Sequence, residues 1–241
     1  MSASIERIAT ELRACTAFDD LSALFIEQYA REGVTMMSYH HLPPPGASDY
    51  SQPITVAAHG FPENWVKQYV DKQYYLIDPI PKHALSLVYP FWWSDIAELT
   101  DLSEEEKSYI DALNKADLGD GIAISLFGPH GRNGYTGLGG GQKQKNWDAE
   151  KIARLHLMAQ LGHMQYCHIL HAHAPSEIRL SSREKEILEW VARGKSNSVI
   201  ADILGLSSNT IDTYMRRVFE KLDVADRVTA ALRGLAVGVI G

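Results

Sequence analysis

From Leu180 to Val224 the chain reads LSSREKEILEWVARGKSNSVIADILGLSSNTIDTYMRRVFEKLDV, and its start and stop signals leave few folds open. Ser181 and Glu184 have the spacing of a capping box, and Gly194 follows the last apolar position of that stretch, where a left-handed helix end favours glycine. A second short helix, SNSVIADIL, is closed by Gly205. A third begins at Ser207 or Ser208 and carries Ile211, Met215, Val218 and Leu222 on one face. A fourth, capped by Asp226, spans Arg227 to Val237. Four short helices, with a one-glycine turn between the second and third, spell a helix-turn-helix unit.

In such a unit the start of the second helix of the motif enters the DNA major groove. Opposite the apolar stripe lie Asn209, Thr210, Asp212, Thr213, Arg216 and Arg217. Arginine can chelate guanine, asparagine can pair with adenine, and aspartate can accept from cytosine. Lys195, Ser196 and Lys221 are candidates for phosphate contacts. A helical interaction module with a solvated polar face fits the same pattern. Charge does not decide between them: residues 176–241 carry 10 Lys/Arg against 9 Asp/Glu, residues 1–175 carry 13 against 21, and the whole chain is −7.

The 241 residues allow two domains, and 45% hydrophobic with 22% charged residues is a soluble globular composition. No apolar run reaches membrane-spanning length, and the charged, amphipathic N-terminus does not read as a signal peptide. Two cysteines, Cys15 and Cys167, imply no disulfide framework and fit a reducing bacterial cytoplasm. Helical patterns run from Ile5 to Arg31, with a pause near Phe18, and through NWDAEKIARLHLMAQLGHMQYCHILHA until a stop around Ala174, before Pro175. VTMMSYHHL, ITVAAHG and GIAISLFG read as strands, and Asn133-Gly134 signals a hairpin turn leading into another. The expected class is α+β. An N-terminal α-β-α sandwich around an antiparallel sheet occupies 1–172, a linker 173–179, and the four-helix DNA-binding domain 180–241.

Within the first domain, NWVKQYVDKQYYLIDPI sets Asp78 among aromatic and aliphatic residues. A buried carboxylate is costly unless it is hydrogen-bonded or paired. Trp65 and Tyr69, four residues apart, share a helix face and offer an N–H and an O–H from apolar bodies. Asp78 before Pro79 could equally shape a turn, and the aromatics could be core. His163, Cys167 and His171 follow at helical spacing, but no fourth metal ligand accompanies them and no metal site is expected.

The C-terminal stretch resembles the LuxR-type DNA-binding domain along its whole length, through Glu184, Leu188, Gly194, GKSN..IA.ILGLS..TI and KLDVADR. Val199 stands where that family commonly has Glu, and Tyr214 where it commonly has His. The order Trp65, Tyr69, Asp78-Pro79, Trp93, Gly121 resembles the autoinducer-binding domain of quorum-sensing LuxR receptors. The resemblance implies an N-acyl-homoserine lactone ligand. Trp65 would donate to the lactone carbonyl, Asp78 accept the amide N–H, and Tyr69 donate to the acyl carbonyl. Trp93 and Phe61 would pack on the ligand, and Gly121 would permit close approach. Gly137, where many relatives carry Ser or Thr, is expected to open room for a long or bulky acyl group. The whole then reads as a homodimeric quorum-sensing transcriptional regulator, not an enzyme, with no cofactor and no membrane contact. It would be cytoplasmic and nucleoid-associated on operator DNA. A regulator answering a non-lactone small molecule, or none, is the alternative.

Overall fold

The computed structural model describes residues 5–50, 56–141, 146–173 and 178–241, and its chain divides into two compact units. The first holds a five-stranded antiparallel sheet in the order β2-β1-β5-β4-β3. The strands are β1 (Met36–Leu42), β2 (Val56–His59), β3 (Phe91–Trp92), β4 (Gly121–Leu126) and β5 (Asn133–Gly139). Helices α1 (Ile5–Ala14) and α2 (Phe18–Arg31) precede the sheet in sequence, and α3 (Glu63–Asp71), α4 (Pro79–Ala84), α5 (Ile96–Leu99) and α6 (Glu104–Lys115) lie between β2 and β4. The long α7 (Ala149–Ala172) closes the unit.

Strand alternation sorts the core onto two faces. Ile122, Ile124, Leu126 and Leu138 pack with Ile8, Leu12, Leu21, Tyr29, Leu155 and Met158 from α1, α2 and α7. The opposite face carries Ala123 and Tyr135, which pack with Ile80, Ala84, Phe91, Trp93 and Ile96. With helices on both faces, every residue of β4 is buried, and the α-β-α layering read from the sequence is what forms.

Three details differ from expectation. Asn133-Gly134 does not make the hairpin turn. The reversal runs through Pro129–Gly131, where His130 and Gly131 have positive φ, and Gly134 already pairs with Leu126. A two-residue edge strand, Phe91–Trp92, joins the sheet beside β4. The helical pause falls at residues 15–17, just before Phe18. The expected stop at Ala174 and most of the proposed linker lie outside the described residues.

The second unit contains α8 (Ser182–Ala192), α9 (Asn197–Leu204), α10 (Ser208–Leu222) and α11 (Arg227–Ala236). Ser181 and Glu184 form the reciprocal capping box, Ser207 is the N-cap of α10, and Asp226 caps α11 through the amides of Val228 and Thr229. Gly194 and Gly205 take φ of 75° and 65°, the left-handed conformation that ends each helix. Ile211, Met215, Val218 and Leu222 point into a core shared with Leu188, Ile200 and Ala230.

Candidate ligand and DNA sites

In the first unit, Asp78 sits where three elements converge. It is the N-cap of α4, and its Oδ1 accepts the Ile80 amide at 2.9 Å, with Pro79 in the first turn. Its Oδ2 accepts the Tyr69 hydroxyl of α3 at 3.0 Å, and Tyr109 of α6 donates as well. The turn-shaping role is therefore real, but it uses one oxygen only. A carboxylate offers about four lone-pair directions, and three are taken here. Although part of the residue reaches the surface, burial of the carboxyl group pushes its pKa up to about 6, against the opposing effect of these hydrogen bonds.

The frame around it is braced. Lys82 of α4 reaches Glu106 of α6 at 2.6 Å, and Glu106 closes the α6 capping box with Ser103. These contacts hold the Glu106 pKa down at about 2. The buried Ser125 hydroxyl of β4 donates to the Ala84 carbonyl at 2.5 Å, tying the end of α4 to the sheet. Trp65, Tyr69, Tyr74 and Tyr109 form an aromatic wall, with ring centroids 5.3–6.3 Å apart. Phe61 packs on the wall's cluster and on that of Trp93.

Trp93 lies over three glycines. A Cβ built on Gly121 would come 2.6 Å from the indole and 2.5 Å from the Leu138 carbonyl oxygen. One on Gly139 would come 3.0 Å from the ring and one on Gly137 3.2 Å. Gly121 is thus explained by close approach. Trp92 packs on the other face of the sheet, against Trp147 at 5.8 Å, so the two adjacent tryptophans have separate jobs.

Two expected roles change. Gly137 opens no room: a Cβ there would meet Tyr135 Oη at 2.6 Å and Ser38 Oγ at 3.0 Å, so the chain's own phenol already fills the space. Tyr69 has a single proton to give, and it is engaged by Asp78. It cannot serve an acyl carbonyl without releasing that carboxylate.

Tyr109, Tyr135 and Ser38 escaped sequence reasoning, since they arrive from α6, β5 and β1 with no local spacing to Asp78. Tyr135 alone had a signal, as it lies two residues from Gly137 and so shares its face. His163 is buried, 2.9 Å from the Tyr39 hydroxyl and 3.7 Å from Cys167 Sγ, whereas His171 is exposed. Among the described residues no three His, Cys, Asp or Glu side chains gather to hold a metal ion. No helix among them is long and apolar enough to cross a membrane.

In the second unit, Asn209, Asp212, Thr213, Arg216 and Arg217 are exposed on α10, with Lys195 and Ser196 exposed before α9. Ser196 is also the α9 N-cap. Thr210 is committed to the α10 cap, its amide and hydroxyl both against Ser207. Asn197 donates to Asp212, and the Arg217 guanidinium sits 5.8 Å from the Tyr214 ring. Lys221 departs from expectation. Its ammonium pairs at 2.7 Å with Glu184, whose side chain is 3% exposed, so it is engaged within the domain rather than held free for a phosphate.

A sensory domain of this layered kind, followed by a helix-turn-helix, is the make-up of a ligand-responsive DNA-binding regulator. The family model described as autoinducer binding domain matches residues 18–166, and that of bacterial regulatory proteins, luxR family, matches 179–233. The chain belongs to the LuxR family of quorum-sensing transcriptional regulators. It is similar to the transcriptional activator AnoR of Acinetobacter nosocomialis, 27% identical over 79% of this chain and 80% of that one. To the quorum sensing-dependent regulator RpaR of Rhodopseudomonas palustris it is 27% identical, over 78% and 76%. With y4qH of Sinorhizobium fredii it shares 31% identity over 75% of this chain, spanning 55% of the relative's length. Its fold is that of Escherichia coli SdiA, with a TM-score of 0.74 and 20% identity over 97% of this chain and 96% of that one.

Proposed function

We propose that the N-terminal domain binds an N-acyl-homoserine lactone and that this binding tunes how a homodimer of the chain engages operator DNA in the bacterial cytoplasm. The observation that carries the reading is the Asp78 carboxylate, enclosed among Trp65, Tyr69 and Tyr109 with one acceptor direction left. An amide N–H fills such a vacancy. Trp65 supplies a donor for the lactone carbonyl, Trp93 and Phe61 supply apolar surface, and Gly121 keeps Trp93 seated. Asn209, Asp212, Thr213, Arg216 and Arg217 read base edges, while Lys195 and Ser196 meet phosphates.

Ligand that binds only the folded state stabilises it by mass action, about 2.7 kcal/mol at a hundredfold excess over Kd. Thermal unfolding against a panel of lactones, with Asp78→Asn alongside, tests the reading. A midpoint that rises with the right acyl group, and rises less in the variant, supports it. A folded, ligand-free protein that no lactone shifts refutes it. A second reading has one observation behind it: the solved complex of SdiA with octanoyl-rac-glycerol. Octanoylglycerol therefore belongs in the panel, and a response to it alone would favour a non-lactone ligand.

A further inference from the structure

The helix that carries Asp78 at its start has little rigidity of its own. α4 is six residues long, and two of them, Pro79 and Pro81, have no amide to donate. Ile80 and Ala84, on one face of it, lie in the apolar cluster with Ala123 and Tyr135. Such contact is non-directional and leaves a short helix free to slide or tilt. Polar ties therefore set its orientation. The Ser125 hydroxyl holds one end through the Ala84 carbonyl, and the hydrogen bonds to Asp78 hold the other.

A further tie runs to α6. Asp78 and Lys82 stand one turn apart on α4, and Glu106 and Tyr109 one turn apart on α6. The two helices are joined twice, Tyr109 donating to Asp78 and Lys82 to Glu106. Glu106 is a fixed point: it is 4% exposed, and its Oε2 accepts the Ser103 amide at 2.8 Å. Its Oε1 accepts from Lys82 at 2.6 Å, with the His83 imidazole 3.6 Å away. One oxygen thus completes the helix cap, and the other holds α4. The Lys82 side chain is 64% exposed, so the pair supplies direction more than stability. Asp78 keeps one acceptor direction for a ligand, and hydrogen bonds weaken steeply with angle. A pivot of α4 would turn that direction away from an amide N–H while leaving the apolar wall in place.

We propose that Glu106, acting through Lys82, is a positioning residue for ligand recognition, fixing α4 so that the open acceptor direction of Asp78 meets the ligand's amide N–H. This rests on the lactone reading above. The effect is indirect, and it falls on the amide contact rather than on the lactone ring or the acyl chain.

The test is calorimetric titration of the full chain with butanoyl-, octanoyl- and dodecanoyl-homoserine lactone, each beside the ester isostere in which oxygen replaces the amide N–H. Wild type is compared with Glu106→Gln, Lys82→Met, Lys82→Arg and Lys107→Met. The glutamine has one carbonyl oxygen for two tasks and must give up either the cap or Lys82. Wild type should favour the amide over the ester at least about tenfold. Glu106→Gln and Lys82→Met should each cut that ratio about three- to fivefold with ester affinity nearly unchanged, whereas Lys82→Arg should keep it. Lys107→Met removes an exposed pair with Glu104 on the same helix and should keep the ratio too. Lys82→Met leaves the α6 capping box intact, so it carries the expectation if Glu106→Gln folds poorly. A ratio unchanged in both variants, with amide and ester weakened together or not at all, makes the pair merely structural and overturns the inference. A ratio cut as deeply by Lys107→Met overturns it as well. Equal binding of amide and ester by wild type also overturns it and leaves a lactone receptor that does not read the amide. If no lactone binds, the reading falls and takes the inference with it.

Discussion

Replacing Asp78 with Asn should make the ligand-free protein more stable while making it bind lactone worse. The carboxyl pKa of about 6 lies well above the ordinary 3.8. A proton is then held in the folded state across a pH range where the unfolded chain has lost it, so this group's contribution falls as pH rises from 3.8 through 6. At about 1.4 kcal/mol per pH unit the folded protein forfeits up to about 3 kcal/mol by pH 7.5, and roughly half of that at pH 5. Asparagine carries no charge to desolvate. It keeps the Ile80 cap through its carbonyl but gives up part of the tyrosine bonding, a loss of about 1 kcal/mol. The net gain is about 2 kcal/mol at pH 7.5, or roughly 4–8 °C in the N-terminal domain's midpoint. Differential scanning fluorimetry of both proteins without ligand, at pH 7.5 and at pH 5, reads this directly, since other titrating groups cancel in the difference. The advantage of the variant should shrink at pH 5. A variant that melts lower than wild type at pH 7.5, or a difference that ignores pH, would refute the reasoning.

Other substitutions test neighbouring parts of the account. Gly121→Ala drives a methyl into Trp93 and the Leu138 carbonyl and should cost about 1–3 kcal/mol, seen as a lower melting midpoint. Arg216→Ala should weaken operator binding by about 1–3 kcal/mol in fluorescence anisotropy and leave the lactone-induced melting shift intact. Lys221→Met removes the partner of Glu184 and should destabilise the C-terminal domain by about 1–3 kcal/mol in denaturant titration. The salt dependence of its DNA binding should stay unchanged, because the lysine is engaged internally; a slope reduced by about one would return it to the phosphates.

Legibility in the sequence followed the range of the interactions. The C-terminal domain was readable almost helix by helix, because Ser181 with Glu184, Gly194, Gly205 and Asp226 act within three or four residues of themselves. In the N-terminal domain, Trp65, Tyr69 and Asp78 stood out because one helix and one turn bring them together. The second half of the site was hidden. Tyr109, Ser38 and Tyr135 reach it through tertiary packing, and Asn133-Gly134 reads locally as a hairpin turn. That signal lost to Pro129–Gly131, where two residues with positive φ reverse the chain first. Gly137 reads as open space because glycine stands where many relatives carry the larger Ser or Thr. Its face neighbour two residues away fills that space with a phenol. Phe91–Trp92 was too short a strand to show any alternation.

The most direct test of the central claim, that Asp78 reads an amide N–H, is to titrate the full chain with a binding lactone and with its ester isostere, in which oxygen replaces that N–H. A charged hydrogen bond is worth about 1.5–3 kcal/mol. The account therefore expects the ester to bind roughly 10- to 150-fold more weakly to wild type, with the gap narrowing in Asp78→Asn. Equal binding of amide and ester by the wild-type protein would contradict it.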